Sequence, residues 1–138
     1  MKLFVDANTL ISGLLFHGNE RLLLELGQYG TCDLITIEYV RGEVRDFLGR
    51  PRARLSGDEQ RRLMAILDRS VIALGDPPGG RIREALGRLR DEDDLPVLVG
   101  FEGSGADYLI TGDRELRRVA PKAISTRRAL ELLLGEFE

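Results

Sequence analysis

The chain has 138 residues, 43% of them hydrophobic and 31% charged, with a formal net charge of −3. That size and composition fit one globular domain, residues 1–138, and exclude a disordered chain. The negative balance excludes blanket phosphate neutralisation as a way of holding nucleic acid, so any such contact needs local basic patches or a bound metal.

The run Lys2–Val5 predicts a short apolar strand. It follows Met1 directly, with no basic n-region or long apolar h-region, so an unsecreted, cytoplasmic chain is expected. Asp6–Phe16 starts as a helix, and Glu20–Gln28, with Leu22, Leu23, Leu24 and Leu26, predicts another that Gly27 and Gly30 help to end. His17, the sole histidine, falls in a loop between them. Cys32 is the sole cysteine, which excludes an internal disulfide or a cysteine-rich zinc site. Asp33–Ile37 predicts a second strand. Ile37–Leu48 places Val40, Val44, Phe47 and Leu48 at helical spacing. Gly49–Leu55, GRPRARL, is a basic loop broken by Pro51.

Ser56 or Asp58 is an N-cap candidate for a helix that buries Leu63, Ile66 and Leu67. Val71–Leu74 predicts a third strand, Asp76–Gly80 a turn cluster, and Ile82–Leu89 a helix. Asp91–Asp94 is a knot of acids. Leu95–Phe101 suits a strand by propensity, but its acidic start and Pro96 in the first turn favour a helix. Asp107–Thr111 predicts a fourth strand, Asp113–Val119 a helix, Ala123–Ser125 a fifth strand, and Thr126–Leu134 a closing helix capped by Ser125 or Thr126. No apolar run approaches the ~20 residues of a transmembrane helix, so no membrane partner is expected.

Strands alternating with helices imply an α/β fold, with a parallel sheet covered on both faces. In such sheets ligand sites gather beyond the carboxyl ends of the strands. Asp6 follows the first strand there and Asp113 follows the fourth. Glu43, on the helix after strand two, and Asp94, at the start of the helix before strand four, can reach the same edge, with Asp91 one turn earlier. Each acid has a plain structural reading: Asp6 and Asp113 as helix caps, Glu43 as a solvated helical acid, Asp91–Asp94 as complement to a helix dipole. Together they fall where the sheet rule puts a site. Crowded carboxylates raise one another's pKa unless a cation compensates, and a hard divalent cation takes oxygen ligands. Such an ion can support phosphodiester hydrolysis without histidine.

Four segments carry a resemblance: VDANTLISGL at the first strand, Glu43 within TIEYVRGEVRDFLGRPR, DEDDLPVLV, and the run ADYLITGD from Ala106 to Asp113. In this order and spacing the chain resembles the PIN-domain family, particularly the VapC-related branch of toxin components of toxin–antitoxin pairs. The resemblance extends from Lys2 to about Leu134. It implies a three-layer α/β/α sandwich with a five-stranded parallel sheet of order 3-2-1-4-5. It also implies Mg²⁺- or Mn²⁺-dependent endonucleolytic cleavage of RNA. Carried over by position, Asp6, Glu43, Asp94 and Asp113 match the acidic quartet, catalytic and metal-holding. Asp91 matches a further metal-holding acid, with Asp93 as a rival in the same run. Asn8 and Thr111 match polar positions lining the site. The helix after Asp94 departs from the family's small-residue run, reading VGFEG. The resemblance further implies a homodimer and a small antitoxin that plugs the acidic groove.

Of the 20 Lys and Arg residues only Lys2 and Lys122 are lysine. Arg41, Arg45, Arg50, Arg52, Arg54 and Arg114, with Arg117, are candidate RNA-phosphate contacts, since a guanidinium fork suits phosphate. Tyr39 is the candidate for base stacking. Two other functions compete. A haloacid-dehalogenase-like phosphatase also has Asp after strand one, but wants a second Asp two positions on, where Asn8 stands. A catalytically inactive PIN module that binds RNA or protein would bind no metal tightly.

Overall fold

The computed structural model describes residues 1–135. The chain opens with β1 (Lys2–Val5), α1 (Ala7–Leu15), α2 (Asn19–Gln28), β2 (Asp33–Ile37) and α3 (Glu38–Leu48). It continues with α4 (Gly57–Ser70), β3 (Val71–Leu74), α5 (Gly79–Glu84) and α6 (Leu95–Gly103). It closes with β4 (Tyr108–Ile110), α7 (Arg114–Val119), β5 (Ala123–Ile124) and α8 (Thr126–Leu134). Single 3₁₀ turns occupy Pro51–Ala53, inside the basic loop, and Glu92–Asp94.

The sheet order is β3-β2-β1-β4-β5, with every neighbouring pair parallel, as the resemblance implied. β1 is central. Its Leu3, Phe4 and Val5 have no solvent exposure, because flanking helices cover the sheet on both faces. The register sets Val5 opposite Ile110, and the Asp6 N–H donates to the Ile110 carbonyl at 3.2 Å. The chain therefore leaves β1 and β4 side by side, one carrying Asp6 and the other Thr111–Asp113.

Leu95–Gly103 is a helix rather than a strand. Leu95, Val97, Leu98, Val99, Gly100 and Phe101 are all buried, so the segment has no polar stripe to give a helical period. Within the VGFEG run, which departs from the family's small-residue pattern, Gly100 is the position of close approach to β2. A Cβ there would lie 3.1 Å from two carbons of Ile37. Beside it Phe101 meets Phe4 edge-on, ring centroids 6.1 Å apart.

Three expectations need correction. The helix expected at Ile82–Leu89 runs instead over Gly79–Glu84. Pro78 sets its start and accepts the Arg81 N–H, while Gly87, at φ +91°, lies in the turn beyond it. The fifth strand stops at Ile124 because the Ser125 side chain caps α8. Gly27 does not end α2 but lies within it. A Cβ there would fall 2.6 Å from Leu34 Cδ1 and 2.9 Å from the Ser70 carbonyl, so the glycine lets α2 pack close on β2 and α4. Among the described residues no helix is long and apolar enough to cross a membrane.

Candidate active site

The site begins with two helix caps. Asp6 Oδ1 accepts the Thr9 N–H at 2.9 Å, and Asp113 Oδ1 accepts the Leu116 N–H at 2.8 Å. The plain readings of these acids as caps are therefore true, and each cap uses only one oxygen. Thr111 joins the two: its hydroxyl donates to Asp6 Oδ2, and its oxygen accepts the Asp113 N–H at 3.0 Å. Thr111 is 1% exposed and Asp6 7%, so the bridge is held in dry surroundings where hydrogen bonds keep their geometry. On the other side of β1, Thr36 donates to the Val5 carbonyl at 2.9 Å and fixes β2 at the same edge.

The other two acids of the quartet come to this edge from α3 and from the turn before α6. Burial and then the charges of Asp91, Asp113, Asp6 and Asp93 push the Asp94 carboxyl up to about 6. The Glu43 carboxyl is raised by partial desolvation, then by Asp94, Asp93, Asp6 and Asp46; Glu43 as a residue stays exposed, so water moderates the effect. The Tyr39 phenol is raised by desolvation and then by Glu43, Asp93, Asp94 and Asp91. Each group thus lies within electrostatic reach of several others. Asp6, Glu43, Asp94 and Asp113, with Asp91 and Asp93, form one neighbourhood although they come from four separate stretches of chain.

Among the described residues no salt bridge reaches any of these six acids. The ring is open: among the described residues no group of three or more His, Cys, Asp or Glu side chains is gathered tightly enough to hold an ion by itself. The donor set is all oxygen and anionic, which fits a hard divalent cation that keeps part of its water shell.

The other sequence candidates separate. Asn8 is exposed on the first turn of α1. Arg41 makes a two-point ion pair with Asp68, both contacts 2.8 Å. It and Arg45 line a cleft of about 450 Å³ against Met64, Ala65 and Asp68 of α4, away from the acids. Arg50 lies over the Phe47 ring at 5.6 Å, and Arg52, Arg54, Arg114 and Arg117 are exposed. His17 contacts Arg21 and lies past the end of α1 opposite the one that Asp6 caps.

Sequence reasoning missed two contacts around the acidic turn. Both Glu115 oxygens accept the Arg90 N–H at 3.0 Å, and the Tyr39 hydroxyl donates to the Asp93 carbonyl at 3.0 Å. In sequence Glu115 reads only as an acid in a helix's first turn. Tyr39 had stood out for its ring, not its hydroxyl. The Tyr39 N–H is in turn held at 2.7 Å by Asp76, from the turn cluster after β3.

The family described as PIN domain matches residues 2–115. No curated protein matches the chain. Among solved structures, PAE2754 from Pyrobaculum aerophilum is similar at a TM-score of 0.72 and 24% identity, over 99% of this chain and 97% of that one. VapBC2 from Rickettsia felis, solved bound to a DNA fragment from their promoter, is similar at a TM-score of 0.68 and 13% identity, over 91% of this chain and 98% of the other. These two likenesses are of fold. The match over residues 2–115 takes in all four acids, and the chain belongs to the PIN-domain family, whose members are in general nucleases that use divalent metals.

Proposed function

We propose that the chain, as a single nuclease domain of residues 1–138, is a Mg²⁺- or Mn²⁺-dependent endoribonuclease. We further propose that it acts in the cytoplasm as the toxin of a type II toxin–antitoxin pair. The observation that carries the reading is the convergence of Asp6, Glu43, Asp94 and Asp113 at the carboxyl edge of β1 and β4, where among the described residues no salt bridge reaches them.

In this reading Asp6, Glu43, Asp94 and Asp113, with Asp91, would surround the ion, one or two of them binding it directly and the rest through its water shell; when bound, the ion would supply a nucleophile at neutral pH and counter-charge for the phosphate. The residues of the chain do the rest. Asp6 and Asp113 stand rigid because each spends one oxygen on a helix cap and Thr111 ties them together. Asp94 carries a proton below about pH 6, which a cation must displace. An open ring suits Mg²⁺, which takes one or two carboxylates and keeps several waters.

RNA needs positive contacts beside the ion. Arg50 is the best placed of the candidates. It lies two residues beyond the end of α3, the helix that carries Glu43, and its guanidinium lies over the Phe47 ring. Arg52 and Arg54 continue the same loop, and Arg114 follows Asp113. Arg41 is engaged by Asp68 and contributes less. The fold likeness to VapBC2 supports a partner antitoxin, and a homodimer is the assembly that goes with this reading.

The test is cleavage of single-stranded RNA, with single-stranded DNA and an aryl phosphate alongside, in Mn²⁺. Asp6→Asn and Asp113→Asn should each lose at least about 100-fold in RNA cleavage while circular dichroism is unchanged, since asparagine also caps helices well. Unchanged cleavage in either variant refutes the assignment. Hydrolysis of the aryl phosphate alone would favour the phosphatase, and a folded chain that binds no Mn²⁺ would favour the inactive module.

A further inference from the structure

Residues Asp91–Asp94 present four consecutive acids, three of them exposed. Like charges packed into one turn repel, and among the described residues no salt bridge reaches them. Their internal bonds are few. Asp91 Oδ1 accepts the Asp93 N–H at 3.0 Å, and the Asp91 carbonyl accepts the Asp94 N–H at 3.1 Å. These bonds shape the turn but do not locate it relative to β1 and β4.

Two outside contacts do. At the near end the Glu115 carboxylate faces the backbone and takes the Arg90 N–H on both oxygens at 3.0 Å, with the Asp91 N–H at 3.5 Å. At the far end the Tyr39 hydroxyl donates to the Asp93 carbonyl at 3.0 Å. Each contact comes from a helix that also presents an acid of the site. Glu115 is two residues past Asp113, and Tyr39 is four residues, one helical turn, before Glu43. An acid that merely complemented the α7 dipole would need no partner on another stretch of chain. Glu115 is 19% exposed and divides its charge between the Arg90 and Asp91 N–H groups and the Arg118 guanidinium, 3.6 Å from one of its oxygens.

We propose that Glu115 and Tyr39 are positioning residues that clamp the Asp91–Asp94 turn between α7 and α3, fixing the Asp94 carboxylate relative to Asp113 on one side and Glu43 on the other. The significance of that placement rests on the nuclease reading above; the clamp itself does not. Neither residue touches the reacting atoms. They act through the acid they place.

The experiment uses the full chain with Glu115→Ala, Glu115→Gln, Tyr39→Phe and, as a control for the reading itself, Asp6→Asn. Hydrogen exchange at the amides of residues 90–94 is read by NMR without metal. Mn²⁺ affinity is then read by calorimetry. Glu115→Ala should speed exchange at Arg90 and Asp91 at least about 10-fold and weaken Mn²⁺ by about 10- to 100-fold, the usual effect of losing a residue that orients a ligand. Glu115→Gln removes the same charge but keeps an oxygen to accept the N–H, so it should stay nearer the wild type on both measures. Tyr39→Phe should weaken Mn²⁺ by about 10-fold at an unchanged melting temperature. Wild-type exchange and Mn²⁺ affinity in Glu115→Ala would overturn the clamp, as would equal effects of Gln and Ala; a merely structural role would lower the melting temperature and leave the affinity of the folded chain intact. Failure of the wild type to bind Mn²⁺, or binding unaffected by Asp6→Asn, would count against the nuclease reading, and the exchange data would still decide the clamp.

Discussion

A carboxylate has two oxygens, and at this site that arithmetic lets one residue serve fold and chemistry at once. Asp6 and Asp113 each cap a helix with Oδ1, and Thr111 sets the angle between them. Thr111→Val keeps the shape but leaves the Asp113 N–H without its acceptor and Asp6 Oδ2 without a donor. It should cost about 1–3 kcal/mol in urea denaturation and cut Mn²⁺-dependent cleavage, whereas Thr111→Ser should restore both. A Val variant as stable as the wild type would show that the bridge carries no weight. Asp94 gives a second test. Its carboxyl is raised from 3.8 to about 6 in the folded chain, so the folded state holds its proton more tightly than the unfolded state. Stability without metal should therefore fall as pH rises from about 4 to about 6 and be flat above that. Solvent screening reduces the effect to about 1 kcal/mol. Asp94→Asn should remove this slope in melts taken across that range, and an unaltered slope would contradict the assignment.

At the scale of elements, close approach decides what local pattern cannot. Gly27, read from sequence as a helix stop, is where α2 packs on Leu34 and the Ser70 carbonyl. Gly27→Ala should destabilise by about 1–3 kcal/mol, because the backbone oxygen cannot move aside as a side chain can. Gly103→Ala, where a Cβ meets nothing within 4 Å, should stay within about 0.5 kcal/mol. Equal effects in chemical denaturation would refute this packing account. α5 teaches a related lesson. The prolines and glycines of Asp76–Gly80 read as a turn, yet Pro78 starts a short helix that Gly79 and Gly80 enter. For α6 the acidic start and Pro96 outweighed strand propensity, and burial on nearly all sides explains why no period was visible.

Across the whole molecule, a chain of net charge −3 must gather its positive contacts locally if it is to hold RNA. Replacing Arg50, Arg52 and Arg54 together by Gln should weaken RNA binding and flatten the slope of log K against log salt by about 2, near 0.7 for each phosphate no longer neutralised. An unchanged slope in a filter-binding salt series would move the RNA path away from this loop.

The sequence alone determined the strand–helix alternation and the parallel sheet. With the resemblance, it also gave the strand order and the four acids to watch, because these depend on local propensity, patterning and motifs written along the chain. Thr111 was legible only as a polar position near the site. Its bridge required the register of β1 against β4. Which arginines are already engaged, as Arg41 is by Asp68, and what holds the acidic turn were decided only in three dimensions. A hydrogen bond or ion pair between residues 27 or 54 positions apart leaves no periodic trace in sequence, since it depends on where separate elements are packed rather than on what either is made of.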